Sequence, residues 1–167
     1  MPFQTICMDI LGPMTQTDSS NKYILIFMDQ FTRWPEAICL PSIEAPRIAQ
    51  AFYDLIITRH GAPRAILSDR GANFMSALMT EVYQIMNVKK LNTASYRPST
   101  NGQVERFNST LVQALTMFIS SSQHNWDKFV PSILFAYRTS ISATTGETPF
   151  FLLHGRRATL PLDVCRP

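Results

Sequence analysis

The sequence has no apolar stretch long enough to cross a bilayer; its longest, residues 23–28, falls far short of the roughly 20 residues a spanning helix needs. It has no basic segment leading into an apolar run near its start, so neither a membrane span nor a secretory signal is expected. Cysteine is scarce. Cys7, Cys39 and Cys165 are odd in number, far apart and without a C-x-x-C pair, which argues against a disulfide framework and a cysteine zinc site and reads as incidental thiols in a reducing compartment. His60, His124 and His154 show no metal-ligand spacing either. Excess charge of one sign is also missing. Fifteen Lys and Arg against twelve Asp and Glu leave a formal charge of +3, which permits a polyanionic partner but is too little to grip DNA by charge alone. Acids gathered around bound cations would reverse the local sign and favour phosphate more than the formal count implies.

What is present is a chain of 167 residues, 46% hydrophobic and 16% charged, sized for one domain around one core. No internal repeat or linker interrupts it. Apolar runs and turn residues predict strands at residues 3–10, 23–28 and 34–40, the first closed by Gly12-Pro13 and all joined by short links that favour an antiparallel meander. An amphipathic helix is expected over 46–59 and stopped by Gly61, then a strand at 64–68, a helix at 73–86 and a strand at 88–93, which implies a right-handed parallel crossover. Helical periodicity returns within 99–122 and 126–139, with a short helical turn at 149–154. The expectation is an α/β layer structure, its mixed five-stranded sheet made of three antiparallel and then two parallel strands and flanked by helices. Residues 1–160 form the domain, and 161–167 a tail or truncated linker.

Three acids fall where this layout would gather them. Asp9 lies near the end of the first strand and Asp69 directly after the fourth, so neighbouring strands would bring both to one edge of the sheet. Glu105 lies at the margin of a helical apolar face, where it could reach over that edge. Three convergent carboxylates repel unless they bind hard divalent cations through oxygen, and magnesium is the natural occupant. Taken singly, Asp9 could cap the Gly12-Pro13 turn, Asp69 could form an Asx-turn before Gly71, and Glu105 could be a first-turn charge favoured by the helix dipole. With twelve acids in 167 residues, an acid at one fixed offset arises by chance with a probability of about 0.07, so spacing alone is a weak motif.

The wording around the three acids carries more. Met8-Asp9-Ile10-Leu11-Gly12-Pro13, Leu67-Ser68-Asp69-Arg70-Gly71-Ala72-Asn73-Phe74 and Asn101-Gly102-Gln103-Val104-Glu105-Arg106-Phe107-Asn108, with 35 residues between Asp69 and Glu105, resemble the integrase catalytic core of gypsy-type long-terminal-repeat retrotransposons and, more distantly, of retroviruses. The resemblance implies an RNase H-like fold and a polynucleotidyl transferase that processes 3′ ends and joins retroelement DNA to target DNA. It implies that Asp9, Asp69 and Glu105 are the catalytic metal ligands, binding two Mg2+ or Mn2+ ions. DNA contacts are implied for Ala72, Asn73, Tyr96, Arg97, Ser99, Asn101, Gly102, Gln103, Asn108 and Ser109, with Asn73 and Asn108 orienting the phosphodiester and residues 96–103 forming a mobile loop beside the site. Implied partners are the element's DNA ends, target DNA and further copies of the chain, as a homodimer or higher homo-oligomer. The implied location is the nucleus when chromosomal DNA is the target, and otherwise an intracellular particle or the cytoplasm.

The sequence departs from that family's pattern at Arg97, where His is usual, at Ser99, where Gln is common, and at Ser109 and Val112, where basic residues are frequent. Losing two cations would remove about two phosphate contacts and flatten the salt dependence of DNA binding. The family's flanking zinc-binding and basic domains are also absent, so poor recognition of DNA ends is expected. Two other readings share the pattern: a domesticated, non-catalytic DNA- or protein-binding module, and, more remotely, an RNase H-type nuclease.

Overall fold

In the N-terminal strands the side chains divide between two apolar layers, as a period of two requires when both faces of a sheet are covered. Strand β1 (Thr5–Leu11) sends Ile6 and Met8 to one layer and Cys7 to the other. Strand β2 (Tyr23–Asp29) sends Leu25 and Phe27 one way and Ile24, Ile26 and Met28 the other. A third strand, β3 (Pro35–Leu40), follows, and then β4 (Ala65–Ser68) and β5 (Lys89–Asn92). The chain is seen in a computed structural model that describes residues 1–68, 80, 82–84, 87–92, 98–118 and 123–160, with the side chains of 92, 98–105 and 118 outside that description.

The sheet order is β3-β2-β1-β4-β5. β1 runs antiparallel to β2 and β2 to β3, whereas β1 pairs with β4 and β4 with β5 in parallel. This is the mixed five-stranded sheet expected from the sequence. Its first strand begins two residues later than expected because Phe3 has φ 55° and its N–H is taken by Asp29 Oδ1 at 2.9 Å. The fifth begins at Lys89 because the Val88 N–H bonds to Tyr83 O at 2.8 Å.

Helix α1 (Ala45–Phe52), with proline in its first turn, runs into a π-helical turn (Tyr53–Ile57) and a short α2 (Thr58–His60) that ends at Gly61. The apolar spacing predicts one regular helix here; Ile48, Phe52, Leu55 and Ile56 are buried together in this mixed geometry as they would be in an unbroken α-helix. Most of the helix expected over 73–86 lies outside the described residues, but 80 and 82–84 are helical and Tyr83 is buried. Helix α3 (Pro98–Phe118) buries Phe107, Leu111 and Leu115. The helix expected over 126–139 is instead a 3-10 turn (Trp126–Phe129) and then α4 (Val130–Thr139), whose first turn contains a proline suited to that position. Helix α5 (Pro149–His154) is as expected, capped by Thr148 Oγ1, which accepts from Phe151 N at 3.1 Å.

Helices α1 and α5 lie against one face of the sheet, where Ile48, Phe52, Phe150 and Leu153 pack with Ile6, Leu25 and Phe27. The other face carries α3 and α4, whose Phe107, Leu111, Leu115, Val130 and Ile133 meet Cys7, Ile24, Ile26 and Leu67. No described helix is long and apolar enough to cross a membrane, and the tail expected at 161–167 lies outside the described residues.

Candidate active site

Alternation along β1 puts Asp9 on the same side as Cys7 and Leu11, the side α3 covers. The half-buried Asp9 carboxylate is held from two directions. Its Oδ1 accepts from the Ile10 N–H at 2.8 Å, and its Oδ2 accepts from Asn108 Nδ2 at 2.6 Å. A distance this short is typical of a hydrogen bond to a charged acceptor. Asn108 sits in the buried stripe of α3 beside Phe107 and Leu111 and is itself only 8% exposed. The Phe107 ring meets the Tyr137 ring edge to face, centroids 4.7 Å apart, which fixes α3 against α4.

The surroundings offer no protein nucleophile in Cys7, the thiol nearest Asp9 along β1. Burial pushes its pKa up to about 11, against a hydrogen bond from Gln30 Nε2 at 3.5 Å, so it stays a thiol at neutral pH. Positive charge is present nearby. Burial raises the Tyr137 phenol, and the neighbouring Arg33 and Arg106 pull it the other way.

Of the other residues singled out in the sequence, Glu105 stands on α3 three residues before Asn108, one turn away on the same face, with its side chain outside the described residues. Asp69, Ala72, Asn73, Tyr96 and Arg97 lie outside them altogether. Ser109 and Val112 are exposed on α3, and so are Gln113, Thr116 and Met117. One expectation needs correction: of the loop expected over 96–103, Ser99, Asn101, Gly102 and Gln103 belong instead to the opening turns of α3. Pro98, read as a loop former, opens that helix, where a fixed φ is an advantage and a missing N–H costs nothing. Among the described residues no three His, Cys, Asp or Glu side chains cluster as a metal site.

Sequence reasoning missed that Asn108 touches Asp9, although its place one turn after Glu105 and between Phe107 and Leu111 was a usable signal. It also missed Glu36, a carboxylate only 6% exposed at the sheet edge. Because β3 is an edge strand, groups from both layers reach it: Trp34 Nε1 and His60 Nε2 lie 3.0 and 3.1 Å from Oε1, and Arg138 Nη2 donates to Oε2 at 2.8 Å.

Residues 1–98 match the family model described as integrase core domain. The chain belongs to the integrase core domain family. Over 159 residues, 95% of its length, this integrase core is 23% identical to the retrovirus-related Pol polyprotein from transposon 412 of Drosophila melanogaster, of which it spans 13%. Among solved structures it is similar to the simian T-cell lymphotropic virus intasome in complex with the PP2A regulatory subunit B56 gamma, with TM-score 0.78 and 18% identity, covering 96% of this chain and 57% of that one. It is also similar to the HTLV-2 integrase catalytic core domain in complex with magnesium in a trimeric form, with TM-score 0.73 and 18% identity over 92% of this chain and 98% of that one. The sheet and its flanking helices are thus an RNase H-like fold, and the family is one of polynucleotidyl transferases.

Proposed function

We propose that this integrase core cuts and joins DNA strands by divalent-metal-dependent phosphoryl transfer, with Asp9, Asp69 and Glu105 as the metal ligands. The observation that carries the reading is the 2.6 Å bond from Asn108 to Asp9, which ties the strand of the first acid to the helix of the third. The strand register supports it as well: Cys7 is opposite Leu67, so two further residues of pairing would bring Asp69 level with Asp9. An oxygen-only donor set fits a hard cation, and the two hydrogen bonds on Asp9 hold its carboxylate in one orientation, as the outer partners of metal-ligating carboxylates do.

Two Mg2+ or Mn2+ ions would activate an attacking water or 3′-hydroxyl and neutralise the leaving oxygen. The remaining work falls to the chain. Asp9, Asp69 and Glu105 would hold the site, and Arg33 and Arg106, which both act on Tyr137, would offer positive charge to phosphate. Ala72, Asn73, Tyr96, Arg97, Ser99, Asn101, Gly102, Gln103 and Ser109 are the DNA contacts proposed by resemblance. The magnesium in the HTLV-2 core structure supports the choice of metal, and the intasome and trimeric core support DNA partners and self-association. Residues 1–160 would act as the catalytic unit within a larger integrase, in the nucleus when chromosomal DNA is the target.

The test is disintegration, the reversal of strand transfer on a branched DNA, with Mg2+ or Mn2+. Activity that disappears in Asp9→Asn, Asp69→Asn and Glu105→Gln supports the reading. A second reading, a non-catalytic binding module, draws on the outer face of α3 beyond Arg106, where the exposed Ser109, Val112, Gln113, Thr116 and Met117 carry no charge. Metal binding without disintegration would favour it.

A further inference from the structure

Building on the phosphoryl-transfer reading of this site, we infer that Asn108 is a positioning residue for Asp9 and not a DNA contact. A carboxylate only accepts hydrogen bonds, so the 2.6 Å contact to Asp9 Oδ2 must come from the amide nitrogen, and this fixes which way the Asn108 amide faces. The opposite end, Oδ1, is buried with no partner among the described residues, and a carbonyl oxygen has no hydrogen to offer a phosphate. With 8% of the residue exposed and fully buried Phe107 and Leu111 beside it on α3, little of it is open to a DNA backbone. One of its two amide hydrogens is committed to Asp9, and burial beside Phe107 and Leu111 leaves little room for the other to meet a phosphate.

The contact also has leverage. β1 carries Asp9 and α3 carries both Asn108 and, three residues earlier, Glu105. This bond therefore helps to orient the first acid and links the strand and the helix that bear the first and third. Outer partners of metal ligands characteristically change metal affinity or activity by about 10–100-fold when removed. A residue that met the DNA backbone would instead change DNA affinity.

The experiment compares the 167-residue chain with Asn108→Ala and Asn108→Leu. Leucine restores the volume that alanine removes, and neither has a donor. Binding of Mn2+ alone, without DNA, is read by isothermal titration calorimetry, and kcat and KM are read on branched DNA, with thermal unfolding to confirm folding. Both variants are expected to lose 10–100-fold in Mn2+ affinity and in kcat, with KM for DNA within about twofold of wild type. Should the leucine variant not fold, the alanine variant carries the same comparison. Leucine restoring Mn2+ affinity and kcat would reduce Asn108 to a packing residue, and a loss confined to KM would return it to the DNA interface; either overturns the inference. A wild-type chain that binds Mn2+ but is inactive on branched DNA would sink the phosphoryl-transfer reading, while calorimetry still decides this one. A chain that binds no Mn2+ overturns both.

Discussion

Removing the Glu36 carboxylate should destabilise the protein at neutral pH and lose much of that effect in acid. Glu36 is a buried anion at the edge of the sheet, within reach of Trp34, His60 and Arg138, with the half-exposed Arg59 farther off at 3.7 Å. Breaking one side of a buried ion pair costs about 3–5 kcal/mol. Here the figure is reduced, because Arg138 keeps two hydrogen bonds to Pro35 O at 3.0 and 2.6 Å and is not left alone. The His60 and Arg138 side chains are also 15% and 19% exposed, so water takes up part of the loss. Glu36→Ala is therefore expected to cost roughly 2–4 kcal/mol, or roughly 5–15 °C in Tm for a chain of this size. Burial alone would raise the Glu36 pKa, but the hydrogen bond from His60 and the charge of Arg138 outweigh it and hold the carboxyl below its ordinary value. For a carboxylate depressed in the folded state, the stabilisation is complete above the unfolded pKa, near 4.3, and fades as pH falls through the folded pKa. Urea unfolding of wild type and Glu36→Ala from pH 7 down to pH 3 should show a gap that is constant above about pH 5.5 and narrows below about pH 4. Equal stability at pH 7, or a gap that does not narrow in acid, would refute the argument.

Three further outcomes follow from other parts of the molecule. Gly12→Ala should destabilise strongly in thermal unfolding: Gly12 has φ 126°, and a Cβ there would stand 2.7 Å from Lys22 O and 2.9 Å from the Tyr23 ring. Phe107→Ala should cost about 3–5 kcal/mol in urea unfolding, since a 1% exposed ring between sheet and α4 leaves a cavity. Ser109→Lys with Val112→Lys should steepen the salt dependence of DNA binding by about two in log–log slope, because both positions are exposed on α3; an unchanged slope would mean that this face does not meet phosphate.

Much of the architecture was legible because the strands announce themselves. Residues 23–28 are a nearly unbroken apolar run, as a central strand covered on both faces must be, and they lie second in the five-strand order. Local backbone geometry was less legible. The π-helical turn at Tyr53–Ile57 hides in a regular apolar pattern, and Pro98 suits a helix start as well as a loop. Long-range polar pairing was least legible. Asn108 and Asp9 are 99 residues apart in sequence, and Arg138 and Glu36 are 102 apart. No local periodicity encodes which polar side chains the fold will bring together, although burial demands that they find partners. At the site itself, Asp9 was named from its strand position and motif, whereas the side chain that orients it was expected to face DNA.

The central claim is that Asp9, Asp69 and Glu105 converge on divalent metal, and crystals of the chain soaked in Mn2+ would test it most directly through anomalous scattering at the manganese edge. The account predicts a peak about 2.0–2.2 Å from the carboxylate oxygens of Asp9 and Asp69, with Glu105 turned toward the same site, at a distance set by small hard cations and oxygen ligands. Manganese bound elsewhere, or ordered carboxylates that face away from one another with no peak between them, would contradict it.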